Sequence, residues 1–483
     1  MTLTKKCATL LLAMLMAMLT VSAQETPLTH FMYLNPHQLR TDPSAEVQLL
    51  YNGYVAVPAI GNIGIGLYNS SIRYKNLFET DDEGYPISLT ANKFANSLKQ
   101  KNNFLHLDLD EELLGFGFRF AKKFFFTFDY RLRGNANISF SKDLIGFPLM
   151  GNLHYLGEDN PAKLALGIHA TLYQEMSLGI QHQLTSKISW GAHAKLLFGA
   201  FNVNTRKLNA TITTNEDDYS MFLQYDADAR LASAIPIQLN LGNGTYEVTM
   251  ADLEWSLLGN AFKNVGAGID LGFRYKLTDK VTLSASLLDI GFIHWKTSAQ
   301  QVSSALSDEG HFYHDGGFLF SGLTEDDIMQ LADEDGRSAF LDSLANYFPL
   351  NSEAISGYST ALNPRILIQG QYDLNKSNRI ILLAQGTFVK NSFRPALTMA
   401  YNGHFFNVFD ICLSYTLAPK SYDNLGVGLG FDVGPVNVFF TAHNIIPAIN
   451  WTRWSKITAS AGIVVNWGHI RKYWEERKEQ NNK

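Results

Sequence analysis

Cysteine is nearly absent from this sequence: among 483 residues only Cys7 and Cys412 occur. Cys7 lies in an N-terminal apolar run, so the rest of the chain can hold neither an intrachain disulfide nor a cysteine-based metal site. Beyond that run there is no stretch of about 18 uninterrupted apolar residues, which excludes a bundle of membrane-spanning helices. A dominant charge is lacking too. The formal net charge of -6 is spread along the chain and argues against nucleic acid as a partner. There is no Gly-x-Ser-x-Gly elbow and no His-Glu-x-x-His helix, and an enzyme is not expected. The run Gly61-Asn62-Ile63-Gly64-Ile65-Gly66 has the wrong order for a dinucleotide loop. Its glycines suit a bend in a strand, and no cofactor is expected.

What the chain does have is glycine, aromatics and alternation. It carries 37 Gly against 14 Pro, with 32 Phe and 21 Tyr. At the N-terminus Lys5 and Lys6 precede the apolar run 8–21, and Val21-Ser22-Ala23 is a small-residue cleavage site. Residues 1–23 therefore read as a secretory signal peptide, with no cysteine after the site to accept a lipid. Residues 24–45 have no strand period and read as an extended N-terminal segment.

Alternation is sharpest in 263–290. Val265, Ala267, Ile269, Leu271, Phe273 and Tyr275 alternate with Gly266, Gly268, Asp270, Gly272, Arg274 and Lys276. A helix would scatter these apolar residues around every face, whereas a strand gathers them on one. After the turn Thr278-Asp279-Lys280 the pattern resumes at Val281, giving an antiparallel hairpin. Similar runs begin near Val47, and others follow at 116–133, 164–183 and 188–198. The C-terminal third adds 365–374, 379–389, 393–401, 405–417, 425–432, 435–443 and 457–467. Such a sheet can pack face to face as a sandwich or close with its apolar face toward lipid. The polar face is rich in Gly, Ser, Gln and His rather than in Lys, Thr and Glu, which suits a crowded lumen. The expected fold is all-β: a transmembrane antiparallel barrel of about 14 strands over 46–467. A charged tail follows at 468–483.

The strand run is interrupted by 298–358, in which Thr324–Phe348 has helical periodicity and an acidic front. The turns at 184–187, 277–280 and 374–377 resemble one another. If they and both termini are periplasmic, counting strands back from Trp467 puts the insertion outside the cell. Trp295, Trp451, Trp454, Trp467 and Trp474 lie near strand ends and suit interfacial girdles.

The segment Leu34-Asn35-Pro36-His37, with Tyr54-Val55-Ala56-Val57-Pro58 and Gly61-Asn62-Ile63-Gly64, resembles the start of a family of uncharacterised outer-membrane barrels of Bacteroidetes. The stretches 176–179, 190–199 and 358–363 are similar to that family as well. More remotely the chain resembles the long-chain fatty-acid transporter superfamily, which includes subunits of type IX secretion and gliding machinery. Those barrels carry Asn-Pro-Ala in an N-terminal plug. Asn35 and Pro36 match that motif, and His37 stands where the family has Ala. The resemblance implies an outer-membrane location, a plug over 24–45 and a passage for small or hydrophobic molecules. Its alternative implication is a non-transporting barrel that binds an envelope protein.

Arg119, Asp129, Arg131, Arg133, His193, Lys195, Asp270, Arg274 and Lys276 are expected to face the lumen. Two readings stand for them: a selectivity surface along a solute path, or ion pairs that fill the barrel and anchor the N-terminal segment. His311, His314 and Asp315 read as solvated loop residues rather than metal ligands. Ser189 and His193 share a strand face, which for such residues is ordinary lumen chemistry.

Overall fold

The computed structural model describes residues 27–32, 35–46, 52–70, 78–80, 86–89, 91–100, 103–121, 123–234, 237–242, 245–250, 262–304, 313–314, 317–320, 350–389, 392–406, 408–418, 421–445 and 456–468. The expected signal peptide, the helix at 324–348 and the tail beyond 468 fall outside them, as do Trp451, Trp454 and Trp474.

The alternating runs form a closed antiparallel barrel of 14 strands. We label them β1 (Gly53–Ala56 continued by Ile63–Asn69), β2 (Asn103–Phe120), β3 (Phe124–Phe140), β4 (Ala162–Gln183), β5 (Ile188–Thr214), β6 (Val265–Lys276) and β7 (Val281–Trp295). The second half comprises β8 (Arg365–Asp373), β9 (Asn378–Val389), β10 (Ser392–Phe405), β11 (Phe409–Ala418), β12 (Ser421–Val433), β13 (Val436–His443) and β14 (Lys456–Trp467). β14 pairs back onto both halves of β1, which leaves this ring without a free edge. β1 is broken at Val57–Asn62, where Pro58, Ala59 and Ile60 swing outward and exposed; this is the bend expected near Gly61.

Both ends of the ring lie at the same side as the short turns. The three similar turns share one device. Thr185, Thr278 and Asn375 each accept, through a side-chain oxygen, backbone N–H groups two and three residues on. The 298–358 insertion leaves from the opposite end. There β5 outgrows the ring and pairs with Met221–Ser233, which pairs in turn with Gln300–Ser304 and Gly317–Phe320. The described part of the insertion is therefore β. Two short helices, α1 (Ala91–Ser97) and α2 (Lys142–Met150), sit at that end as well.

Alternation decides which way each side chain points. On β6, Val265, Ile269, Leu271 and Phe273 are exposed, while Gly266, Asp270, Gly272 and Arg274 are buried. Trp467 and Trp190 are outward and exposed. Trp295 departs from the girdle expectation: it is 0% exposed, and its indole N–H donates to Thr360 Oγ1 at 2.8 Å. A register shift in the β6–β7 pair, between Ile269 and Leu271, reverses the parity of the last part of β7 and turns Trp295 inward.

The glycines of β6 make a discriminating test. A Cβ at Gly266 would meet the Phe292 carbonyl oxygen at 2.2 Å, whereas at Gly268 its nearest neighbour is the Ile290 carbonyl oxygen at 3.4 Å. Gly266→Ala should abolish the heat-modifiable band of folded barrel on cold gel electrophoresis, and Gly268→Ala should leave it. Ile269→Arg, which puts a charge on the outward apolar face, should cost roughly 2 kcal/mol or more in a refolding titration in lipid vesicles. Equal stability of Ile269→Arg and wild type would contradict a lipid-facing Ile269.

Candidate functional site in the barrel lumen

Residues 27–32 and 35–46 lie inside the lumen. Two 3-10 turns, Leu28–His30 and Pro36–Arg40, shape the segment. Asn35 caps the second by accepting the His37 N–H at 2.9 Å, and Pro36 occupies the first position, where no donor is needed. On one side Leu28, Phe31, Met32 and Leu39 form a single apolar cluster with inward residues of β8 to β14, among them Leu367, Ile381, Leu383, Cys412 and Phe439. The inner face is therefore not polar throughout: on β9 Ile381 and Leu383 point inward between Arg379 and Gln385, and residues of the N-terminal segment cover them.

The other side of the plug is polar. His37 Nε2 meets Glu112 Oε2 at 2.8 Å, and burial, followed by the nearby Arg40 guanidinium, holds His37 below the ordinary imidazole range. Neutral at neutral pH, it donates to the carboxylate. Arg40 pairs with Glu112 and with Asp129 at 2.9 Å. Arg274 pairs with Asp42, and Lys276 with Glu46 at 2.6 Å. Between these contacts the plug backbone lies directly on glycine. A Cβ at Gly191 would meet the Pro43 carbonyl oxygen at 1.8 Å, and one at Gly272 the Ser44 nitrogen at 2.8 Å. Ser189 donates its hydroxyl to the Ser44 carbonyl at 3.2 Å, while His193 Nδ1 faces Asp270 at 3.2 Å; the two do not pair with each other.

Next to the plug, charged residues from β2 to β8 meet across the lumen as a septum. Asp289 is its centre. Its carboxylate accepts from Arg133 at 2.9 Å, Lys195 at 2.7 Å and Arg365 at 3.0 Å. Its backbone N–H donates to Asp270 Oδ1 at 2.7 Å, and its φ of 57° lies in the left-handed region. Lys195 also reaches Asp270 at 2.7 Å, Arg133 reaches Glu175 at 2.7 Å, and Arg131 bridges Glu175 and Asp110. All of these but Asp110 are buried. On the side of the septum away from the termini lies a cavity of about 800 Å³ with Arg133 and Asp289 in its wall. Beside the plug a cavity of about 110 Å³ remains.

The residues singled out by sequence thus divide. Asp129, Arg274 and Lys276 touch the plug, while Arg131, Arg133, His193, Lys195 and Asp270 belong to the septum. Arg119 stands apart, half-buried near the terminal end, where its N–H donates to the Asn52 carbonyl. Asp289, Glu112, Glu175 and Arg365 were not singled out. Two of them sit at broken alternation, Glu112 before Leu113-Leu114 and Asp289 after Leu287-Leu288, and there the strand pairing shifts register. Of the residues considered for a metal, His311 and Asp315 lie outside the described residues, among which no cluster of three metal-binding side chains occurs.

Removing one partner of a buried ion pair strands the others in a medium that solvates them poorly. Asp289→Asn keeps the shape and tolerates the backbone while removing the charge shared by three cations. It should lower unfolding free energy by about 3–5 kcal/mol, read from urea titration in detergent. Lys207→Ala, which breaks the exposed pair with Asp226, should leave the midpoint unchanged.

Among solved structures the chain is similar to the Pseudomonas putida toluene transporter TodX, at 10% identity over 93% of this chain and 100% of that one, with a TM-score of 0.45. It is also similar to a Pseudomonas aeruginosa FadL homologue, at 11% identity over 90% and 95% with a TM-score of 0.39. For the Ralstonia pickettii toluene transporter TbuX the values are 7%, 92% and 98%, with a TM-score of 0.34. The barrel itself stands on its own strand pairing. No curated protein matches the chain. A family model does match, over residues 46–443, and the chain belongs to that family, the Family of unknown function (DUF5723).

Proposed function

We propose that the chain is an integral outer-membrane barrel that passes small or hydrophobic molecules, with residues 24–45 acting as its plug. One observation carries this reading: a segment that belongs to no strand sits inside a closed barrel, held by side-chain contacts whose release would leave every strand pair intact. The exposed apolar residues on the outer face support a lipid surround, because closure lets every barrel strand satisfy its backbone groups laterally. Lifting the plug would uncover Leu367, Ile381, Leu383 and Phe439, a lining suited to apolar solutes, while the ion pairs opposite hold the plug at rest. With both termini in the periplasm, the end bearing 298–358 would face outward. TodX and TbuX are described as toluene transporters; at 10% and 7% identity their solute does not transfer to this chain.

A second reading, a barrel that presents 298–358 to an envelope protein, has the sheet extension above the ring in its favour. Loss of a co-purifying partner on deleting that insertion would support it.

Deletion of 24–45 should raise single-channel conductance in planar bilayers and speed solute uptake into vesicles. Gly191→Val should act in the same direction without removing a charge, since its side chain would collide with the Pro43 carbonyl. Unchanged conductance and uptake in both variants would sink the plug-gated passage.

A further inference from the structure

From the 800 Å³ cavity beyond the septum we infer that the lumen holds a binding site for neutral, polyhydroxylated solutes, carbohydrate in chemical class. This names a solute class for the proposed passage and, as to transport, rests on that reading; binding does not. The volume lies within the roughly 300–1,000 Å³ of ligand pockets. What sets this cavity apart is its chemistry. Asn135 and Asn137 of β3, Asn204 of β5 and Asn363 ahead of β8 line it, together with hydroxyls such as Thr171.

Some lumenal amides are consumed within the protein: Asn402 donates to Asp410 at 2.8 Å, and Asn202, in the cavity wall, donates to Thr171 Oγ1 at 2.9 Å and accepts from the Tyr358 hydroxyl at 2.8 Å. Four others in the same wall are not. Asn137 Oδ1 is buried without a partner, and among the described residues Asn135, Asn204 and Asn363 make no side-chain hydrogen bond. A buried polar atom without a partner is costly, which singles out Asn137; Asn135, Asn204 and Asn363 are half-buried, and a guest or solvent can supply their bonds. A carboxamide presents both donor and acceptor, as does a sugar hydroxyl, so several amides on facing walls can be met at once by one polyol.

Charge does not favour an ion here. Arg133 and Asp289 in the cavity wall neutralise each other at 2.9 Å, and Arg394 stands against the Phe104 ring at 5.9 Å. An apolar solute could lie against Leu362, Phe388 and Val389 in the same wall but would leave the amides unbonded, and an ionic one would find no uncompensated counter-charge there apart from Arg394. A neutral polyol meets neither obstacle.

The test is calorimetric titration of the full-length protein in a sugar-free detergent such as lauryldimethylamine oxide. Neutral probes are maltotriose, cellotriose and the N-acetylglucosamine trimer; trigalacturonate serves as the charged probe and toluene as the apolar one. At least one neutral trisaccharide should bind at millimolar concentration or below. The double variant Asn137→Leu/Asn204→Leu should weaken that binding at least tenfold while keeping the heat-modifiable band. No binding of any neutral probe up to 50-fold above the millimolar range, at about 50 mM, would overturn the inference. So would tighter binding of trigalacturonate or toluene, or equal binding by the folded double variant. Uptake is scored separately in vesicles: binding without uptake counts against the passage alone, and uptake without trisaccharide binding counts against this site alone.

Discussion

Charge compensation inside a closed lumen is the constraint on which the rest of this structure depends. A ring of 14 strands turned apolar side outward must put its polar residues inside, where each ionised group loses solvent. Asp289 meets that demand by drawing Arg133 of β3, Lys195 of β5 and Arg365 of β8 to one carboxylate. None of these strands except β8 neighbours β7, so the interaction crosses the lumen and ties separate parts of the wall together. The bulge that delivers Asp289 is a local departure from alternation maintained by this global requirement.

The plug completes the arrangement from the other side. Arg40 supplies the cation that Glu112 and Asp129 would otherwise lack, and Asp42 the anion that Arg274 would lack. Apolar inward residues of β8 to β14, Leu367, Ile381, Leu383 and Phe439 among them, are met instead by Leu28, Phe31 and Met32. One short segment thus presents different chemistry on its two sides, ion pairs toward Glu112, Asp129 and Arg274 and apolar contact toward Ile381, Leu383 and Phe439. The segment is held by these side-chain pairs together with its own backbone, which lies against Gly191 and Gly272 and accepts from Ser189.

How much of this could be read beforehand follows from how local each signal is. Strand direction and facing are local: Ile269 outward and Asp270 inward follow from period-two alternation in a few residues. The strand number follows from counting such runs, and the positions of the short turns from a Thr or Asn that accepts its own following backbone. Trp295 went the other way because the parity of β7 reverses upstream of it, at Leu287-Leu288-Asp289, a doubling that looks minor in the sequence. Ile381 and Leu383 lie in a run that reads simply as a strand, and nothing local says that an N-terminal segment covers their inward side.

The sequence by itself determined the barrel, because alternation and closure need only the order of apolar and polar residues along each strand. Alternation likewise carries the inward direction of Asp270 and Arg274, but not that of Asp289 or Glu112, which sit where it breaks. Only the tertiary structure decided their partners: Arg133 and Asp289 lie far apart in the chain, and nothing in local periodicity encodes a chord across the lumen. The same holds for Pro43 against Gly191 and for the amides of Asn137 and Asn204 left over beyond the septum. Those contacts depend on strand register and bulges summed around the ring, a property of the closed sheet rather than of any strand in it.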